Sequence, residues 1–486
     1  MNVESSSSKS SSSSGSSGSS NSSTIKKSDD GGSSSSSKKA PSISFNKDTA
    51  SFTPTNTKKK SSVDLSGGGD AKPYAVNHAM SQGAQGAAPV GQSQGTQPVE
   101  PMTVGYHAKP DALTAGDAAA QQETMKTELQ TAKDLGSKSV TVVVNQNTDP
   151  AVFRATLDAA AGQGMQVNVR VNCGEWKPTI PAKWDQDSHT YQYDPAAAEN
   201  YKKTMDKLFG TNFGNASPPP APLTGDQLKG LGAVQLGNEP LDPKEWDNFV
   251  GKSWDGRPDH EEYKEWLQNE APDLKMTPQQ LSDQIARSMG LATRDMLEDM
   301  GPELARVLGG PEKIATTPMG AGFADYNNVA AQKEFYLGMM GMGLDGKVTG
   351  HSGLELAGQV GSHAYMDNAA TPEQLQAYSS TTGYGEALRI YRDATGIDAP
   401  GSATARPVFT EVGLDKNFPG GQGKQLTDVF IGQFVNDWND KHPGAPVADI
   451  SIWGGFPGYD FEGQWLVTPE ARPGLGESIK ASNPKD

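Results

Sequence analysis

Two stretches of this chain, residues 233–240 (AVQLGNEP) and 407–413 (PVFTEVG), each read as a buried strand running into a glutamate, Glu239 and Glu411. A pair of carboxylates at strand ends is the equipment of glycosidic bond cleavage. One is held protonated to donate to the leaving oxygen, and the other stays ionised to attack the anomeric carbon or activate water. The chain's 7 His are scattered without paired ligand spacing, so no catalytic metal is expected. Its single cysteine, Cys173, excludes an internal disulfide and a multi-Cys zinc site and reads as a small apolar residue at a strand end. The expected chemistry uses water and no cofactor.

Two carboxylates act together only if the fold brings their strands to one place. From residue 102 onward, short β-branched or apolar runs alternate with helical patterns, the signature of repeated βα units. Strands are expected at 102–107, 140–144, 166–172, 233–239, 313–317, 358–366, 407–411 and 447–453. Helices are expected at 115–135, from Asp149-Pro150 onward with Asp as cap and Pro in the first turn, at 196–209, 278–308, 329–342, 371–395 and 426–441. Eight such units predict a closed (β/α)8 barrel. An open doubly wound sheet is the alternative, but no Gly-rich phosphate fingerprint follows the first strand. In a barrel the active site lies at the C-terminal strand ends. Strands four and seven face each other across the mouth, so Glu239 and Glu411 are expected to approach to about 5 Å, the separation that goes with retention.

At these residues the chain resembles a known family. Gly237-Asn238-Glu239-Pro240 closing one strand, Thr410-Glu411-Val412-Gly413 closing another three units later, His363-Ala364-Tyr365 between them and Trp453 on the last strand resemble the retaining (β/α)8 glycoside hydrolases of the superfamily that includes family 5 cellulases and mannanases. The resemblance spans about residues 100–470. It implies that Glu239 is the acid/base, Glu411 the nucleophile, and Asn238 a ligand of the sugar 2-hydroxyl. It also implies that His363 and Tyr365 touch sugar hydroxyls and hold the nucleophile, and that Trp453 is an apolar sugar platform. Cellulase-like members usually carry an Arg on the second strand and a His on the third, where this chain has Asn145-Gln146 and Asn172. Arg170 shares a strand face with Asn168 and Asn172. His107, Asn172 and Trp176, at the exits of the first and third strands, are candidate sugar contacts, as are Phe323 and Tyr326. Loop-to-barrel packing is the other reading for these, a core histidine for His363, and barrel packing for Trp453.

Residues 1–99 are dominated by Ser, Gly, Lys, Thr and Gln and have too little apolar surface to offset the entropy of ordering. They are expected to form a disordered tail before a single catalytic domain at 100–486. The net charge is −16, and residues 1–100 hold ten Lys against seven acidic residues, which leaves −19 on the remainder. An acidic globular part argues against nucleic-acid binding. The tail's lysine pairs read as solvating charges on a linker, with contact to anionic membranes or nucleic acid as the other reading. No apolar run is long enough to span a bilayer, and the N-terminus lacks the pattern of a secretory signal. Its Ser-rich, Leu-poor composition resembles the export signals of bacterial type III effectors, so secretion by such a route is the expectation, with a cytoplasmic location as the other. The aromatics of residues 241–275, Trp246, Trp254, Tyr263 and Trp266, suggest an extended cleft for a polysaccharide or oligosaccharide, bound by a monomer. The competing reading is a carbohydrate-binding or effector protein that kept the barrel and lost turnover. Sugar, linkage and endo or exo action are not specified by the sequence.

Overall fold

The computed structural model describes residues 100–172, 179–243, 246, 248–253, 260–319, 329–366, 371, 375, 380–454 and 472–485. The expected tail at 1–99 lies outside the described residues, as do Cys173, Trp176, Trp254, Phe323 and Tyr326.

Eight parallel strands close into a barrel. In chain order they are β1 (Thr103–His107), β2 (Ser139–Val144), β3 (Gln166–Val171), β4 (Leu231–Leu236), β5 (Ile314–Ala315), β6 (Gln359–Tyr365), β7 (Arg406–Gly413) and β8 (Asp449–Trp453). Each pairs with its sequence neighbours, and β8 closes on β1. At least one helix follows every strand, and the main apolar core lies between helices and barrel.

Local chemistry sets the helix limits where the sequence predicts them. Asp149 accepts from the amides of Ala151 and Val152 ahead of Pro150, which opens the helix Pro150–Gly162. Thr277 and Gln280 form a capping box at the start of Pro278–Leu308, and Gly309, at φ 87°, ends it. The first helix begins at Ala118 rather than 115 because the Asp117 side chain caps it.

Three departures have local causes or consequences. β5 is only two residues long, and side chains hold the backbone beyond it: Thr317 Oγ1 donates to Leu236 O at 2.6 Å, ahead of Pro318, which has no N–H for a ladder. The helix expected at 426–441 is a π-helix over Gln425–Val435 that becomes α-helical at Asn436–Lys441. Two hairpins outside the barrel, Ala182–Asp185 with Thr190–Tyr193 and Asn248–Phe249 with Lys252–Ser253, carry no expectation from the sequence.

Polar side chains fill the barrel interior at its N-terminal end and at its mouth, beside a small apolar cluster of Ala233, Ala315 and Val408. At the N-terminal end the buried Asp449 carboxylate accepts from Ser139 Oγ at 2.6 Å, Asn168 Nδ2 at 2.8 Å, Ser451 Oγ at 3.2 Å and the Thr103 hydroxyl. Thr141 and Ser451 bond one another at 2.6 Å above it. A Cβ at Gly105 would lie 2.0 Å from Ser139 Oγ, so glycine is what lets β1 and β2 close over this layer. Arg170 stands on the same face of β3 as Asn168, two residues nearer the mouth.

Candidate active site

Glu239 sits three residues beyond the last residue of β4, on a tight turn. Gly237 has φ 79°, and a Cβ there would meet Thr179 O at 2.1 Å, so only glycine fits. Glu239 itself has φ 29°, a left-handed conformation that costs a non-glycine residue about 1–3 kcal/mol and concentrates at functional sites. The turn is held by Asn238 N donating to Thr179 O at 3.2 Å and Asp242 N to Glu239 O at 2.9 Å.

Glu411 reaches the same place by a different device. Along the β6–β7 ladder Ser362 faces Phe409, but His363 faces Glu411, so Thr410 is an extra residue in β7. This bulge shifts the side-chain alternation by one. Phe409 packs outward on Phe430, Thr410 reaches inward to Gln235, and Glu411 also turns inward instead of following Phe409.

The carboxylates converge on His363. Its Nδ1 lies 2.6 Å from Glu239 Oε1 and 3.7 Å from Glu411 Oε2. One oxygen of Glu239, one of Glu411 and one His363 nitrogen all fall within 4.8 Å of each other. Arg170 Nη1 donates to Glu411 Oε1 at 2.5 Å, and the Tyr365 hydroxyl donates to Glu411 Oε2. Arg170 Nη2 lies 3.2 Å from His363 Nε2 and 3.4 Å from Thr410 Oγ1. A guanidinium only donates, so His363 Nε2 is the acceptor and Nδ1 carries the hydrogen pointed at Glu239.

These contacts push the two carboxyls apart. Burial drives Glu239 well above the usual carboxylate range, the negative Glu411 adds to it, and Arg170 only partly opposes. Burial also works against the charge on Glu411, but His363, Arg170, His107 and the Tyr365 hydroxyl outweigh it and bring that pKa down to about 2. Burial pushes His363 to about 3, so at neutral pH its ring is uncharged and Arg170 is the lasting counter-charge. Tyr365 is driven well above its usual range by burial and by Glu411, which keeps it a donor. The result is one neutral acid and one carboxylate.

Of the other expected residues, His107, Trp453, Asn238 and Asn172 are among the described ones. His107 is fully buried, and its Nδ1 donates to Ala108 O at 2.6 Å, leaving Nε2 as an acceptor with no partner. Burial and the neighbouring Arg170 push its pKa to about 3. Trp453 packs against His107 edge-on with centroids 4.7 Å apart, so it is in part barrel packing. Asn238 and Asn172 each hold a buried Oδ1 without a partner. Buried polar atoms left unpaired at a strand-end mouth are what a ligand's hydroxyls would satisfy.

Among the described aromatics of the 241–275 excursion, Trp246, Tyr263 and Trp266 do not line a cleft. Trp246, Tyr263 and Trp266 are 5%, 1% and 7% exposed and cluster with Trp184, Tyr191 and Phe249. Tyr263 and Trp266 lie one turn apart on the helix His260–Glu270, so both rings turn to the same buried cluster.

Two site residues carried no expectation, Thr410 and Gln235, and a third, Arg170, was read only as a candidate substitute for the family's Arg that shares a strand face with Asn168 and Asn172. Arg170 had a signal, since a charge inside the apolar run QVNVRV must find a partner if buried. Thr410 and Gln235 had none, because their roles follow from a bulge and a cross-barrel contact.

Glu239, His363 and Glu411 are the group among the described residues whose ligand atoms are close enough for a metal. Arg170 already places positive charge on Glu411, and the His363 nitrogen facing both carboxylates carries a hydrogen. A cation would have to displace these, so the set does not fit a metal centre.

No protein-family model and no curated protein sequence matches the chain. Among solved structures, it is similar to Saccharomyces cerevisiae Gas2p in complex with laminaritriose and laminaritetraose, at 14% identity and TM-score 0.39, over 78% of this chain and 64% of that one. It is also similar to a GH30 endoxylanase from Clostridium papyrosolvens C71, at 12% identity and TM-score 0.35, over 78% of this chain and 72% of that one. The chain thus spans under two thirds of the Gas2p chain.

Proposed function

We propose that this chain is a retaining glycoside hydrolase, with Glu411 as nucleophile and Glu239 as acid/base. The observation that carries the reading is the pair of buried carboxylates with oxygens within 4.8 Å, only one of which has a guanidinium. Retention goes with carboxyls about 5–5.5 Å apart, whereas inversion needs about 6.5–9.5 Å to admit the attacking water between the general-base carboxylate and the sugar. Glu411 attacks the anomeric carbon while Glu239 gives its proton to the leaving oxygen, which forms a glycosyl ester on Glu411. Glu239, now ionised, takes a proton from water, the water oxygen bonds to the anomeric carbon, and the ester bond breaks with Glu411 leaving as carboxylate.

The proton of Glu239 belongs on Oε2, because Oε1 accepts from His363 Nδ1. Asn238, Asn172 and His107 supply unpaired acceptors for sugar hydroxyls, and the substrate class is a polysaccharide or oligosaccharide. The test is reducing-sugar release from β-glucans, mannan, xylan and arabinogalactan by the wild type and by Glu239→Gln and Glu411→Gln. Release from one polymer that collapses in both variants supports the reading. Retention of a polymer without hydrolysis replaces it with a binding protein on a hydrolase-like barrel.

A further inference from the structure

Gln235 lies on the inner face of β4, four residues before the acid/base, and its amide bridges β7 and the turn that carries Glu239. Its Oε1 accepts from the Thr410 hydroxyl at 2.7 Å, and its Nε2 donates to the carbonyl of Gly237 at 3.1 Å. The second contact decides the orientation of the amide: the nitrogen must face Gly237, so the oxygen must face Thr410.

The Thr410 proton is therefore committed to Gln235, and the hydroxyl presents only lone pairs to its other neighbours, Arg170 Nη2 at 3.4 Å and His363 Nε2 at 3.1 Å. Arg170 Nη2 is the donor shared between them. Arg170, which only donates, is what keeps His363 Nε2 unprotonated and its hydrogen on Nδ1, 2.6 Å from Glu239 Oε1, while the Thr410 hydroxyl anchors the Gln235 amide across the barrel. Meanwhile the Gly237 carbonyl belongs to the turn in which Gly237 has φ 79° and Glu239 has φ 29°. A residue held in such a conformation needs its surroundings to enforce it.

We propose that Gln235 is a positioning residue for the acid/base: anchored on the Thr410 hydroxyl across the barrel, its amide holds the Gly237 carbonyl and with it the strained turn that carries Glu239. This rests on the reading of Glu239 as the acid/base. Gln235 makes no hydrogen bond to either carboxylate, and through the Glu239 turn its loss should fall mainly on protonation of the leaving group.

Acid catalysis matters in proportion to how poor the leaving group is. The test compares 2,4-dinitrophenyl and phenyl glycosides of the sugar that the polymer panel returns, using the full chain. In Gln235→Leu, kcat/KM for the phenyl glycoside should fall about 100-fold, the range of a general-acid contribution, and that for the dinitrophenyl glycoside by less than about 5-fold. Equal losses on both, or none on either, overturn the proposal. Should Gln235→Leu not fold, the pair Thr410→Val and Thr410→Ser decides. Val should reproduce the leaving-group bias, and Ser, which keeps the hydroxyl, should restore the wild-type ratio. A Ser variant that behaves like Val overturns the proposal. A wild type that cleaves neither polymer nor aryl glycoside removes the proposed function and this inference with it, whereas an active wild type with unbiased variants removes this inference alone.

Discussion

Arg170 Nη1 stands 2.5 Å from Glu411 Oε1, a pair formed across 241 positions of sequence by side chains only 4% and 6% exposed. A carboxylate this deeply buried would ordinarily take up a proton. The guanidinium prevents that, and since it does not bond Glu239, it makes two otherwise similar glutamates chemically different.

Arg170→Met should therefore remove the asymmetry. As the proposed nucleophile, Glu411 must be ionised to attack, and its pKa of about 2 places the expected acid limb of the pH–rate profile far below neutrality. Without Arg170 that limb moves up in pH, and kcat/KM falls by about 100-fold or more. The lost ion pair also destabilises the fold by about 3–5 kcal/mol, because a buried charge is left alone. A pH–rate profile and urea denaturation check both; an unmoved acid limb counts against the assignment.

Glu239 should cost stability. Its folded pKa is raised, so the folded state binds more protons than the unfolded one between the two pKa values, and stability falls as pH rises above the unfolded value near 4.5. Glu239→Gln should raise Tm by about 2–4 °C at pH 7–8 and by much less at pH 4. Its activity should lose the wild type's basic limb. Thermal scans at the two pH values are the check, and an equal gain at both would show that the carboxyl's charge is not the cause.

Small nucleophiles should separate the roles of the two glutamates. Azide added to Glu239→Ala should capture the glycosyl ester and give a glycosyl azide of retained configuration. Added to Glu411→Ala it should attack the anomeric carbon directly and give the inverted azide. Proton NMR of the products reads the anomeric centre, and swapped outcomes would exchange the two assignments.

Tyr365→Phe removes one donor from Glu411 without opening a cavity. The nucleophile's pKa should rise and kcat should drop by about 10-fold or more, with stability within about 1 kcal/mol of wild type. Steady-state kinetics alongside urea denaturation test this.

Trp266→Ala should act on the fold rather than on the substrate. Trp266 packs against Tyr263 and Trp184 in a buried cluster, so truncation should cost about 3–5 kcal/mol while KM for the polymer stays unchanged in the folded protein. A KM rise at unaltered stability would restore these aromatics as a sugar-binding surface.

The sequence by itself determined the barrel and the two glutamates. Both are written in local signals: strands spaced by helices with Asp149-Pro150 and Thr277–Gln280 starts, and apolar runs ending in Asn-Glu-Pro and Thr-Glu-Val-Gly. His363 and Tyr365 entered through the family resemblance, and their two-residue spacing on a strand placed them on one face. Only the tertiary structure decided how the site is tuned. Arg170 was visible as a charge in an apolar strand, but its partner lies four strands away around the barrel. The Thr410 bulge, which turns Glu411 inward, comes from pairing register, and a register shift leaves no mark on composition. The same holds for Trp246, Tyr263 and Trp266, whose types are equally suited to a cleft or a core. Burial is a property of what packs around a residue, and for these three the fold supplied neighbours rather than solvent.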